Sequence, residues 1–117
     1  MTARPTIPAA RYTERIRAAQ AIAKADGFAA ILVGVGADMR YLAGYPAMPL
    51  ERLTMLVIPA DGEVSLVAPR LEATPARKCP PAAAGDLPVV TWEETGDPHG
   101  MVAAMVAGAA GASAAGD

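Results

Sequence analysis

The chain has one cysteine, one histidine, two serines and five aromatic residues in 117 positions. Each scarcity closes off a class of chemistry. A lone Cys79 excludes an internal disulfide. One Cys and one His do not make a structural zinc site. The serines, Ser65 and Ser113, sit in no nucleophile elbow. His99 is the only imidazole, and it lies near the start of an expected surface helix, where a solvated role is the simplest one. Adjacent Glu93 and Glu94 point in different directions on a strand or turn and form no acid–base dyad. The carboxylates also lack the His partners that a dinuclear metal site usually needs. Cys79, next to Pro80 and Pro81, reads as an incidental loop residue.

Charge and apolar length are equally restrained. The net charge is −2 and the sequence pI about 5.3. No basic run or aromatic–basic interleaving occurs, so nothing favours a nucleic-acid partner. No apolar stretch approaches the length of a membrane span, and no apolar core of a signal peptide follows Arg4. The expected location is cytoplasmic, without a membrane partner. Hydrophobic residues make up 53% of the chain, but 28 of them are Ala. Ala favours helix and buries little area, so one domain with a modest core is expected.

The order of elements points to an α/β layer structure. Residues 1–9 read as a flexible lead-in. Residues 10–26 read as a helix, with Tyr12, Ile16, Ala19 and Ala23 on one stripe and Gly27 as its stop. A short apolar run after it predicts a buried strand over about 29–34. Residues 37–43 predict a short helix, with Asp38 near its positive end and Gly44 at its close. Two strands, 53–58 and 63–68, flank Asp61-Gly62 and predict an antiparallel hairpin. "RLEATPARK" suggests a short helix, and "CPPAAAGD" an exposed loop. Residues 88–91 predict a fourth strand. Asp97-Pro98 then caps a last helix, with Met101, Val102, Met105 and Val106 on its apolar face. The domain is expected to span 10–107, and 108–117 to be a flexible tail or a truncation point.

One stretch concentrates the scarce residues: "DMRYLAGY", 38–45, holds two of the five aromatics beside Asp38 and Arg40. The structural interpretation packs Leu42 and one tyrosine into the core and leaves Arg40 solvated. The functional one has Asp38, Arg40 and Tyr45 lining a surface at the end of a strand, where open α/β sheets place their sites. "GVGAD" before it is a poor dinucleotide fingerprint, because Met39 occupies the place of its third glycine.

"DMRYLAGY" resembles the Asn/Asp-x-x-Tyr-Leu-Thr-Gly-Phe/Tyr stretch of creatinase/prolidase N-terminal domains. "ERLTMLVIPADGEVSLVAPRLEA" resembles the hairpin of that family and the Pro-x-Leu-Glu after it, and "TWEETGDP" its Trp-containing strand and Asp-Pro helix start. Ala43 stands where Thr or Ser is usual, so a hydroxyl contact is lost there. Tyr41, Leu42 and Gly44 match as residues of the structural motif. The resemblance implies a ribonuclease-H-like fold, a mixed sheet of about five strands with helices on both faces. It implies no catalytic residue, metal ligand or cofactor in this chain. Two divalent ions (Mn, Co or Zn) are expected in a separate C-terminal catalytic domain of a Xaa-Pro aminopeptidase or dipeptidase. It further implies a homodimer in which Asp38, Arg40 and Tyr45 face, in trans, a proline-containing peptide in the partner subunit's pocket. Two rivals remain: the same domain of a creatinase-like amidinohydrolase, and a stand-alone peptide-binding module.

Overall fold

The computed structural model describes residues 7–47, 53–93 and 96–115, the last eight of them by backbone only. Helix α1 (Ala9–Ala25) leads into β1 (Ala30–Val33) and α2 (Ala37–Ala43). Strands β2 (Met55–Pro59) and β3 (Ser65–Pro69) follow. A 3-10 turn (Arg70–Glu72) runs into α3 (Ala73–Arg77) and α4 (Pro80–Ala83), and β4 (Val89–Trp92) and α5 (Pro98–Ala115) complete the order. Among the described residues, none of the helices is long and apolar enough to cross a membrane.

The sheet is mixed and four-stranded, in the order β1-β2-β3-β4. β1 pairs antiparallel with β2, β2 antiparallel with β3, and β3 parallel with β4. β1, β3 and β4 therefore run the same way and finish at the same end of the sheet. The expected α/β class holds, with four strands among the described residues where about five were expected.

Alternation along the two central strands separates two cores. Leu56, Ile58, Leu66 and Ala68 pack under α1, α2 and α4, against Ile16, Met39 and Leu87. Val57 and Val67 face the other way, onto Val102 of α5, with Met101, Met105 and Trp92 around them. Helices thus cover both faces. Polar contacts fasten the layers. Gln20 Nε2 on α1 donates to the carbonyls of Pro59 (2.7 Å) and Gly62 (2.9 Å), holding the hairpin end. Trp92 Nε1 donates to the Leu53 carbonyl at 2.9 Å. Asp97 Oδ1 accepts from the Gly100 N–H at 3.0 Å, the expected cap of α5.

Four expectations change. β1 is an edge strand and only partly buried, with Leu32 47% exposed on the face that α5 leaves bare. "CPPAAAGD" is not an exposed loop: Pro80 and Pro81 open α4, where a missing N–H costs nothing. Cys79 just before them is buried in the main core, not incidental. The expected antiparallel hairpin is present, with Val57↔Ser65 as its last ladder pair. At the C-terminus the backbone stays helical to Ala115, past the boundary expected at 107. Ala has the highest helix propensity, so a helix can continue there without an amphipathic stripe. The expected Pro49 turn and Glu94 lie outside the described residues.

Gly44 ends α2 in the left-handed conformation, φ 67°. A Cβ there would lie 2.9 Å from Tyr12 Cζ and 3.0 Å from Pro80 Cδ. The turn sends Tyr45 into the core, where it is 5% exposed. Burial, then the charge of Glu72, pushes the Tyr45 pKa up, and a hydrogen bond to Glu72 adds to this. Burial likewise raises the Cys79 thiol.

Three outcomes follow for stability. Gly44→Ala should cost about 1–3 kcal/mol in denaturant unfolding, because the backbone is strained and the Tyr12 contact closes. Leu66→Ala should cost about 2–5 kcal/mol. A raised tyrosine pKa means the folded state holds the proton more tightly. Its contribution is therefore fully present below the unfolded value of about 10 and is lost as pH rises through the folded value. An alkaline melting series should show this loss, and Tyr45→Phe should reduce it.

Candidate functional site

The common end of β1, β3 and β4 carries Asp38 and Arg40 of α2, the Arg70–Glu72 turn and Glu93. Three strands running the same way leave their carboxyl ends together, the usual place for a site in an open α/β sheet. α2 follows the end of β1, the Arg70–Glu72 turn follows β3, and Glu93 follows β4. Arg70 Nη1 meets both Glu93 oxygens, at 3.1 and 3.3 Å. Both side chains are exposed, so this pair adds little stability.

α2 is two turns long, and its phase decides what it shows. Met39 and Ala43, four apart, are fully buried. Positions two residues away are rotated by roughly 200°, so Tyr41 points outward and is 57% exposed. Asp38 and Arg40 are both exposed. They too are two positions apart, so they leave the helix on opposite flanks and form no joint cluster. Asp38 lies in the first turn, favourable for the dipole, and makes no side-chain cap.

The two tyrosines of this stretch differ in exposure. Tyr45, expected on the surface, lies in the core with only an edge bordering a cleft. Tyr41, expected to be structural, is the exposed ring. The signal was available: once Met39 and Ala43 are taken as the inward pair, Tyr41 must face out. Tyr45 is beyond the helix, and its direction follows from the Gly44 turn, which helical spacing does not describe.

Two concavities flank α2. The first, about 450 Å³, lies between α1 and α2 and is lined by Arg15, Ala18, Ala19, Ile22, Tyr41 and Leu42. Arg15 bridges it: its guanidinium carbon stands 4.0 Å over the Tyr41 ring and 5.4 Å over that of Tyr12. Its Nη1 also donates to the Tyr41 carbonyl at 2.9 Å. Spacing along α1 gave no hint of this residue, because its partners come from another element. The second, about 360 Å³, is lined by Tyr45, Pro46, Glu72, Pro75, Lys78 and Cys79.

What this end can do is bind. Arg40 offers a forked cation for a carboxylate, and Tyr41 a flat apolar face. His99 is exposed on α5, and among the described residues no three His, Cys, Asp or Glu side chains come together as metal ligands.

Comparison with known proteins agrees with this arrangement. The family model of the creatinase/prolidase N-terminal domain matches residues 15–114. A probable dipeptidase PepE of Mycobacterium tuberculosis is 39% identical over 106 residues, which is 91% of this chain and 28% of that protein. Among solved structures, dipeptidase PepE from Mycobacterium ulcerans superposes with a TM-score of 0.80 at 35% identity, covering 88% of this chain and 28% of that one. A prolidase from Thermococcus sibiricus gives 0.66 at 28% identity, covering 90% and 26%. The chain spans little more than a quarter of the curated relatives it matches. Its fold, its element order and the residues of α2 together make it a member of the creatinase/prolidase N-terminal domain family.

Proposed function

We propose that this chain is the non-catalytic N-terminal domain of a dinuclear-metal Xaa-Pro peptidase, where it supports a homodimer and closes the partner subunit's substrate pocket. Similarity to dipeptidases and a prolidase over their N-terminal-domain portion supports the placement. The observation that carries the role is the exposure of Arg40 on α2, at the shared end of three strands. An exposed cation at the carboxyl end of the sheet supports a role in positioning a substrate handled elsewhere.

In this reading the chain packs on its own C-terminal catalytic domain, in a cytoplasmic enzyme. Two divalent ions, Mn²⁺, Co²⁺ or Zn²⁺, held in that domain supply the hydroxide and the oxyanion stabilisation. Arg40 takes the carboxylate of a proline-containing dipeptide, and Asp38 on the opposite flank meets the polar rim of the pocket. Tyr45, buried, reaches the substrate side only through the cleft beside Pro46.

Purified residues 1–117 with added Mn²⁺ should not hydrolyse Xaa-Pro dipeptides; metal-dependent turnover by this chain alone contradicts the reading. In the full-length enzyme, Arg40→Ala should raise KM for dipeptides about tenfold or more, the size of one charged hydrogen bond. Longer peptides, whose carboxylate lies further from the scissile bond, should be affected less. An unchanged KM sinks the role. Creatine hydrolysis by the full-length protein would instead favour the amidinohydrolase reading. Calorimetric peptide binding by residues 1–117 would favour a stand-alone module.

A further inference from the structure

We infer that Arg15 is a positioning residue for the substrate-facing helix: by stacking on Tyr41 and holding its carbonyl oxygen, it fixes how α2 presents Arg40. The inference rests on the proposed role of Arg40 and adds a residue from a different helix.

The local problem is how a helix as short as α2 keeps its place. It has seven residues, well below the length at which a helix persists on its own in water. Its fully buried side chains are Met39 and the small Ala43, with Leu42 packed part-buried against the same core. Its last carbonyls need partners from outside the helix. The Arg40 carbonyl accepts from the Gly44 N–H at 2.9 Å, within the left-handed turn. The Tyr41 carbonyl accepts from Arg15 Nη1 at 2.9 Å. A cation from α1 thus caps the negative end of α2.

The same guanidinium also packs flat. At 4.0 Å from the Tyr41 ring centre it is well inside cation–π range, and Tyr12 approaches it from its own helix at 5.4 Å. One planar group therefore holds both the backbone and the side chain of Tyr41, the residue next to Arg40. Rotation of α2 about its axis would break both contacts together. A lysine keeps the charge and most of the apolar stem but cannot stack and donate in this forked way. Among the described residues, Arg15 meets two aromatic rings and a backbone oxygen.

The test uses the full-length enzyme and four variants: Arg15→Ala, Arg15→Lys, Arg40→Ala and the Arg15→Ala/Arg40→Ala pair. Arg15→Ala and Arg15→Lys should each raise the dipeptide KM about three- to tenfold with kcat little changed. The double variant should be no worse than Arg40→Ala, because Arg15 acts only through that side chain. In residues 1–117, Arg15→Lys should speed amide hydrogen exchange across 37–44 and leave the β2–β3 amides unchanged. Arg15→Lys, which keeps charge and bulk, guards against a variant that fails to fold. A wild-type KM for Arg15→Lys, or additive effects in the double variant, overturns the inference while leaving the role of Arg40 intact. A silent Arg40→Ala overturns both, and the two failures are told apart by that variant alone.

Discussion

β2 and β3 are buried on both faces, and this one constraint organises the molecule. Leu56, Ile58 and Leu66 are fully buried on one side, Val57 and Val67 almost completely on the other. A sheet with two apolar faces must be covered twice. α1, α2 and α4 take one face, and α5 takes the other. Because β2 runs against β1 and β3, and β4 runs parallel to β3, those three strands end together. The surface on which α2 and the Arg70–Glu93 pair stand is therefore a consequence of how the core is closed.

A second consequence is where the chain is tight and where it is loose. At Gly44 the α1–α2 contact leaves no room for a side chain, so α2 is seated closely at its C-terminal end. At the outer edge of β1 the cover is thin, and Phe28 and Leu32 stay largely exposed. The domain holds its α2 surface by close packing and a guanidinium clasp, not by length of helix.

Much of this was legible in the sequence because it is local. The stripe of α1, the cap at Asp97 and the apolar runs of β2 and β3 depend on near neighbours. The order and spacing of "DMRYLAGY", the hairpin and "TWEETGDP" identified the family. What was not legible depends on distant contacts. β1 reads as buried because an apolar run cannot say that its strand lies at an edge. Cys79 reads as incidental because the core that buries it is assembled from residues distant in sequence. Which tyrosine is buried was not legible, since the left-handed Gly44 between them resets the direction of the chain. Arg15 was invisible as a site residue because its role exists only across the α1–α2 groove.

The central claim is that α2 of one subunit faces the substrate held by another. The most direct measurement is a crystal structure of the full-length enzyme with a proline-containing dipeptide product bound. The account predicts that Arg40 of one subunit lies within hydrogen-bond distance of the peptide carboxylate in its partner, with the Arg15–Tyr41 stack intact beside it. A structure in which α2 faces bulk solvent, with the carboxylate bound by the catalytic domain alone, would contradict it.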